Sequence, residues 1–129
     1  MNIEQKTHKL TDKNIVGEVI EIKEGFAKVV LKTNQIMAVD EKGLVHGGFT
    51  FGLADYAAMV CVNHPYVVLG SADVKFLAPV KAGEEIVAKA YSINKDERKE
   101  IVEVEVFSGD RKVFSGTFKC YILEKHVLD

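Results

Sequence analysis

A single carboxylate lies in the middle of an otherwise apolar stretch. The segment LVHGGFTFGLADYAAMVCVNH spans residues 44–64, and nearly every residue after its paired glycines is apolar. Read as a helix, this stretch has no polar face, yet it carries Asp55. A buried carboxylate costs several kcal/mol unless it is paired or its pKa shifts. We therefore expect Asp55 either to take part in a reaction or to bond to the backbone of a neighbouring strand.

The start of the same helix offers hydrogen-bond donors. Gly47 and Gly48 follow His46 directly, and the first N–H groups of a helix have no partner within it. Glycine leaves those groups unshielded, and the helix dipole adds partial positive charge. Donors fixed in this way can hold the negative charge that develops in acyl transfer, as an oxyanion hole does.

The spacing of these residues argues against a site built from one helix. Gly48 and Asp55 lie seven residues apart, on nearly the same face and roughly 10 Å apart along the axis. A group held at Gly48 is therefore out of reach of Asp55 in the same chain. His46 falls on about the opposite face from Asp55, so we expect no intrachain His–Asp pair. Two helices side by side across a two-fold axis would bring each Asp55 near the other's glycines.

The elements around this helix read mostly as strands. The first 13 residues are polar, and we expect them to be loosely held. Two strands follow around a turn at Glu24-Gly25, then a short apolar piece, IMAV, and the turn-like DEKG. The helix is predicted from about Gly47 to Asn63, because the residue before Pro65 avoids the helical region. Four alternating segments come next: VVLGSADVKFLAP, EEIVAKAYSI, EIVEVEVFS and KVFSGTFKCYIL.

Two alternation patterns assign residues to faces. In the first of the four segments, Val68, Ala72, Val74 and Phe76 are predicted to share one face, opposite Ser71, Asp73 and Lys75. In the third, the alternation sets Val102, Val104 and Val106 against Glu103 and Glu105. Such patterns are typical of antiparallel strands with one covered face.

Composition limits the class of protein. The chain has 129 residues, 47% of them hydrophobic and 28% charged, which suits a single globular domain. A net charge of −2 gives no reason to expect nucleic acid or an anionic membrane as partner. The N-terminus has no apolar signal core, and no stretch is long enough to span a bilayer. Cys61 and Cys120 both fall in apolar segments, so we expect free thiols and a cytoplasmic location.

Counting elements predicts an α+β architecture. One long helix that is apolar all round must be surrounded, and a curved antiparallel sheet of five to six strands wrapped around it is the economical solution. So short a chain does not enclose the helix fully. A second copy packing sheet edge to sheet edge would complete the enclosure, so a homodimer is expected.

The combination GLVHGGFTFGLAD and ADVKFLAPVKAGEEIVAKA resembles the hotdog-fold thioesterases, specifically the PaaI-type acyl-CoA thioesterases. The resemblance covers about residues 14–123, and it divides the chain into a polar N-terminal segment, 1–13, and a single hotdog domain, 14–129. It implies hydrolysis of an acyl-CoA thioester by a homodimer or a dimer of dimers. The amides of Gly47 and Gly48 would hold the thioester carbonyl, and Asp55 of the partner would activate water or attack. His46 would fix the loop before the helix or act as a base.

Further positions carry over from the resemblance. Asp40 stands six positions before His46, where the family often has a polar residue that bonds the carbonyl or water; it also suits a turn. Ser71 is the nearest candidate to support the catalytic acid. Lys75 and Lys81 would lie along the pantetheine and nucleotide phosphates. The resemblance implies no metal and no cofactor, since coenzyme A belongs to the substrate.

Two other functions remain open at this point. The second half of the chain also resembles the acyl-CoA-binding domain of the FapR-type repressors, which bind acyl-CoA without cleaving it. Those repressors carry a DNA-binding segment ahead of this domain, whereas only about 13 residues precede the first strand here, so we expect at most a stand-alone acyl-CoA sensor. A hotdog dehydratase would pair a histidine with a helical acid. The intrachain geometry disfavours that pair, whereas a pair formed across two subunits would escape the objection. The pairing of His-Gly-Gly with Asp55 favours an enzyme.

Overall fold

The computed structural model describes residues 2–129. Within them, one α-helix and six strands follow in the order β1 (Glu18–Lys23), β2 (Phe26–Lys32), α1 (Gly47–Val62), β3 (Val67–Phe76), β4 (Glu85–Lys95), β5 (Lys99–Ser108) and β6 (Arg111–Ile122). All six strands join one sheet in the order β1-β2-β4-β5-β6-β3, and every neighbouring pair is antiparallel. Strands β1 and β3 are therefore the two edges. The predicted hotdog architecture, a curved sheet wrapped around one long helix, is confirmed.

The helix begins and ends where the sequence predicts. Its C-terminus is closed by Asn63, which adopts the left-handed conformation and donates its N–H to the Met59 carbonyl. Alanines on the sheet side, Ala54, Ala57 and Ala58, are fully buried, and their small side chains let the sheet approach closely. No helix among residues 2–129 is both long and apolar enough to cross a membrane.

The inward-facing residues of the sheet complete the core. They alternate along β2, β4, β5 and β6, as expected for strands with one covered face. The fully enclosed members include Ala27, Val29, Leu31, Ile86, Ala88, Ala90, Val102, Val106, Phe114, Phe118 and Cys120. Cys61 and Cys120 are buried free thiols, as predicted.

The N-terminal segment differs from its expectation, since residues 2–8 are held against the fold. The side chain of Asn63 donates to the Glu4 carbonyl at 2.8 Å and accepts the Lys6 N–H at 2.7 Å. The side chain of Gln5 donates to the Tyr56 hydroxyl at 3.1 Å, and Thr7 is buried. A loose segment was therefore the wrong expectation, because polar residues here bond to the end of the helix. The division of the chain at residue 13 stays a prediction.

Two further details correct the sequence reading. The first two residues of the piece IMAV lie in a 3₁₀ turn, Gln35–Met37, because the Asn34 side chain accepts the Ile36 N–H at its start. In β3 a bulge lies between Leu69 and Ser71, and it reverses the alternation there. Val68 stands opposite exposed Tyr121 and therefore faces outward. Its predicted place beside the inward-facing Ala72 is wrong.

Candidate functional site

The start of α1 is capped by the residue that precedes it. His46 Nδ1 accepts the Gly48 N–H at 2.7 Å, and the His46 carbonyl accepts the Phe49 N–H at 3.1 Å. The His46 N–H in turn donates to the Met37 carbonyl at 2.9 Å, which ties the cap to the preceding loop. A neutral His46 ring must then carry its hydrogen on Nε2. The observed role of His46 is to position the helix start.

Capping leaves the two glycine amides in different states. The Gly48 N–H is engaged by His46, whereas the Gly47 N–H forms none of the hydrogen bonds found among residues 2–129. A Cβ added to Gly47 would stand 3.1 Å from the Phe76 ring, and one added to Gly48 would stand 2.8 Å from His46 Nδ1. The free donor with the helix dipole behind it is therefore that of Gly47.

Asp55 lies two turns further along α1 and is half-buried. Its Oδ1 is enclosed and has no hydrogen-bond partner within residues 2–129. Burial raises the pKa of Asp55 above its ordinary value. A raised pKa makes the carboxylate a stronger base, which suits it to accept a proton. Bonding to a strand backbone, the structural alternative, is not seen for this oxygen.

The surroundings of Asp55 come from three parts of the chain. It opens on a cavity of about 370 Å³ between the start of β3, at Val67–Leu69, the N-terminal residues Thr7 and His8, and the tail at His126. Thr7 Oγ1 and His8 Nδ1 are 2.8 Å apart, and burial lowers the pKa of His8. Asp55 therefore faces a partly closed space and not bulk solvent.

The two ends of β3 mark the two halves of the candidate site. Gly47 packs against Phe76, the last residue of β3, whereas Asp55 faces Val67–Leu69 at its start. On α1 itself, Gly47 and Asp55 are eight residues apart, which is roughly 12 Å along the axis. A single chain therefore does not unite the free amide with the carboxylate.

Apolar space adjoins the helix start on two sides. One cavity of about 370 Å³ lies beside Gly47 and is lined by Leu44, Phe76, Leu77 and Val113 among others. A second, of about 520 Å³, lies over Gly48 and Phe49 against Ile15 and Val16. Either is suited to hydrocarbon, since few polar groups line it.

The remaining predicted site residues are exposed, and the structure does not gather them around Asp55. Asp40 Oδ1 accepts the N–H groups of Lys42 and Leu44 at 3.0 and 3.2 Å, which is the role of a turn residue. Ser71 pairs with exposed Lys119 and thus faces away from the helix. Lys75 and Lys81 both lie on the surface. Their parts in binding stay predictions.

Two features escaped the sequence reading. His8 lies in a segment that reads as polar linker, and nothing in its spacing connects it with Asp55. Glu100 is only 2% exposed, and it faces inward in line with Val102, Val104 and Val106. The sequence does carry a signal for Glu100, because it stands two residues before Val102 and so continues the alternation of inward-facing residues along β5. No three His, Cys, Asp or Glu side chains of residues 2–129 gather in a way that could hold a metal ion.

The family of this chain follows from comparison with known proteins. The profile of the Thioesterase superfamily matches residues 42–115, which is more than half of the chain. The match includes the helix start, Asp55 and the whole of β3. The chain therefore belongs to the Thioesterase superfamily.

Curated relatives share the domain but are longer. A methylthioribose-1-phosphate isomerase of Aquifex aeolicus is 50% identical over 113 residues, 88% of this chain and 25% of that protein. The transcription factor FapR of Bacillus subtilis is 29% identical over 122 residues, 92% of this chain and 65% of FapR. The chain thus spans between a quarter and two thirds of the length of these relatives.

Solved structures share the whole fold. Protein PH1136 of Pyrococcus horikoshii has a TM-score of 0.99 and 60% identity, covering 100% of this chain and 99% of that one. A variant of the phenylacetic acid degradation protein PaaI from Thermus thermophilus has a TM-score of 0.78 and 28% identity, covering 84% of this chain and 95% of that one. The resemblance to PaaI-type proteins seen in the sequence is therefore confirmed at the level of fold and family.

Proposed function

We propose that the protein is an acyl-CoA thioesterase whose active sites are shared between two copies of the chain. The observation that carries this proposal is the placement of the free Gly47 amide and the unpartnered Asp55 carboxylate at opposite ends of one edge strand. Membership of the Thioesterase superfamily supports the class of reaction.

Strand β3 offers the surface for pairing. Within residues 2–129 it is bonded only to β6, so the backbone groups along its other side have no partner in the described sheet. Its second half is largely exposed, and Phe76 and Leu77 at its end are 57% and 50% exposed. A long exposed edge of this kind is a template for another strand. A second copy of β3 is the partner that a two-fold axis supplies.

Antiparallel pairing of two β3 strands about their centres would complete the site. The start of one strand then lies beside the end of the other. Asp55, which faces Val67–Leu69, would thereby approach the partner's Phe76 and with it the partner's Gly47. The operation generates two equivalent sites, each with an acid from one chain and an amide from the other.

The proposed chemistry is hydrolysis of a thioester. The carbonyl oxygen accepts the Gly47 N–H, which stabilises the negative charge as the carbonyl carbon becomes tetrahedral. Asp55 accepts a proton from water while the water oxygen bonds to that carbon. The carbon–sulfur bond then breaks, and the thiolate of coenzyme A leaves and is protonated. Direct attack by Asp55, followed by hydrolysis of the resulting anhydride, gives the same products, and the only reactants are thioester and water.

The surroundings of Gly47 suit such a substrate. The cavity lined by Leu44, Phe76 and Leu77 begins at the free amide, and we assign the acyl chain to it. Lys75 lies near the end of β3 and Lys81 in the loop after it, and both side chains are exposed. The phosphates of coenzyme A would meet positive charge there. These assignments of substrate groups rest on the shared-site proposal.

One observation favours a second function, an acyl-CoA sensor that binds without turnover. His46 occupies the Gly48 N–H, so only one donor of the expected pair is free. The likeness to FapR, a transcription factor, points in the same direction. Binding without turnover does not require the unpartnered carboxylate of Asp55. For that reason we prefer the enzyme.

The experiment that separates these functions is a thiol-release assay of the purified protein. A panel of acyl-CoAs of varied chain length and type is supplied, and free thiol is measured beside binding of the same compounds. Turnover that depends on Asp55 is the expected result. Saturable binding with no thiol release across the panel would assign the sensor function instead.

A further inference from the structure

A second polar cavity lies at the opposite end of α1 from Gly47. We name it the C-terminal pocket, about 370 Å³ in volume, and define it by Cys61, Asn63, Lys6, Lys95, His64 and Glu100. Because α1 is 16 residues long, the pocket lies roughly 22 Å from Gly47 along the helix axis. Neither Gly47 nor Asp55 lines it, so it is distinct from the site of the proposed hydrolysis.

The floor of the C-terminal pocket is a carboxylate in a core position. Glu100 is 2% exposed, and it is the one charged residue buried to this degree within residues 2–129. Its Oε1 is enclosed and has no hydrogen-bond partner there. Buried carboxylates in proteins are normally paired. Glu100 lines the cavity, and residues 2–129 provide no donor to this oxygen.

The C-terminal end of α1 makes the floor of the C-terminal pocket still more favourable for a positively charged group. The last carbonyl groups of α1 lie at Cys61–Asn63, where the helix dipole contributes partial negative charge. Burial, followed by the negative charge of Glu100, raises the pKa of Cys61 to about 12, so this thiol is neutral. Cys61 therefore neither balances Glu100 nor serves as a thiolate ligand.

The rim of the C-terminal pocket has the opposite charge. Lys6 is fixed there through its backbone N–H, which donates to Asn63 Oδ1 at 2.7 Å, and Lys95 stands directly opposite Glu100 on the neighbouring strand. Neither lysine forms an ion pair with any of residues 2–129, whereas Lys23 nearby is paired with Glu21 at 2.9 Å. Two lysines that form no ion pair within residues 2–129 therefore line the pocket with Glu100, beside Lys23 and the exposed Glu24.

We propose that the C-terminal pocket binds a small zwitterion of the α-amino-acid class. The ammonium group of the ligand donates to the Glu100 carboxylate at the floor, and the carboxylate of the ligand lies between Lys6 and Lys95 at the rim. A simple cation would be repelled by the two lysines, and a simple anion would meet Glu100. Only a ligand that carries both charges a few bonds apart satisfies floor and rim together.

The test compares amino acids with their two halves. L-Alanine, L-leucine and L-lysine are each offered to the full-length protein beside the matching decarboxylated amine and deaminated acid. Binding is measured by calorimetry and by the shift in Tm. At least one amino acid is expected to bind while its amine and its acid bind far more weakly.

Variants locate the site. Glu100→Gln is expected to weaken that binding by about 30-fold or more, since it removes the charge from a buried hydrogen-bonded pair. Glu103→Gln lies on the same strand with an exposed side chain and serves as the matched control, with unchanged affinity. Lys6→Met with Lys95→Met removes the rim charge and leaves the buried floor intact, so it keeps the test valid if Glu100→Gln fails to fold. It should weaken amino-acid binding and improve binding of the amine.

Three results would overturn the proposal. The first is that no compound of the panel binds, and the second is that Glu100→Gln or the double lysine variant binds as the parent does. The third is a strong coupling of Glu100 and Lys95 in a double-mutant cycle of unfolding, because Lys95 would then be the natural partner of Glu100. None of these readouts depends on thioester hydrolysis, so failure here leaves the proposed function standing, and the reverse also holds.

Discussion

Replacing Asp55 by asparagine changes the charge of the proposed base and almost nothing of its shape. The carboxylate has one oxygen enclosed without a partner, and the neutral amide fills the same volume. A positioned base contributes about 10²–10⁴ to rate, or roughly 3–5 kcal/mol of barrier at 1.36 kcal/mol per decade. We therefore expect kcat to fall by at least about 100-fold. The free Gly47 amide is retained, so measurable turnover above the uncatalysed rate should remain.

The same substitution has a second, independent signature in stability. Burial raises the pKa of Asp55 in the folded state above its unfolded value. The folded protein thus binds this proton more tightly, and the stabilisation is present below the unfolded pKa and is lost as pH rises through the folded pKa. Asp55→Asn should consequently unfold at a higher temperature than the parent at pH 7. The difference should shrink as the pH falls below the pKa of the folded carboxyl.

Two assays on one preparation check these expectations. Thiol release gives kcat against pH, and the parent's rate should fall on the acid side at a higher pH than an unperturbed aspartate would give. Differential scanning fluorimetry over the same pH range gives Tm. Asp110→Asn, an exposed aspartate in the turn between β5 and β6, is the matched control and should change neither. An Asp55→Asn variant that is less stable at pH 7 and keeps full kcat per folded molecule would refute the reasoning, because Asp55 would then be a structural carboxylate.

The remaining predictions concern the helix start and the assembly. Gly47→Ala places a Cβ 3.1 Å from Phe76 beside the free amide, and kcat should fall about tenfold or more with the fold intact. Gly52→Ala, whose Cβ meets nothing within 4 Å, is its control and should only stabilise the helix, by about 0.5–1 kcal/mol in urea unfolding. His46→Ala should destabilise the protein by about 0.5–2 kcal/mol, because the cap on Gly48 is lost; an unchanged urea midpoint would contradict that role. Light scattering at low micromolar concentration should give at least twice the chain mass of 14.3 kDa, and a folded monomer would disprove the shared site.

The central elements of the fold were predictable from local chemistry. Paired glycines mark the start of the helix, Pro65 marks its end, and the alternation of apolar and polar residues marks the strands. The bulge in β3 was missed. It arises where Gly70 lies under the Tyr121 ring, so close that an added Cβ would stand 2.1 Å from it. The contact joins residues far apart in the chain, and its one local sign is a glycine inside the strand VVLGSADVKF.

The candidate site was predictable in its parts and only partly in its arrangement. Asp55 and the glycines stand out because a charge in an apolar helix and small residues at its start are anomalies of the sequence itself. The capture of the Gly48 amide by His46 depends on one side-chain rotamer, which spacing does not reveal. The docking of Thr7 and His8 over Asp55 depends on hydrogen bonds made by a segment that looks like a linker. Its Gln5 side chain donates to the Tyr56 hydroxyl, and its backbone both donates to and accepts from the Asn63 side chain.

A heterodimer of two damaged chains tests the shared site most directly. One chain carries Asp55→Asn, the other carries Gly47→Ala with Gly48→Ala, and the two are co-expressed with different tags and purified as the mixed dimer. If each site takes its acid from one chain and its amide from the other, one site is doubly damaged and the other is intact. Thiol release should then return to about half of the wild-type rate, since a two-fold dimer has two equivalent sites. A mixed dimer no more active than either damaged homodimer would show that each site is built within one chain, and would contradict the account.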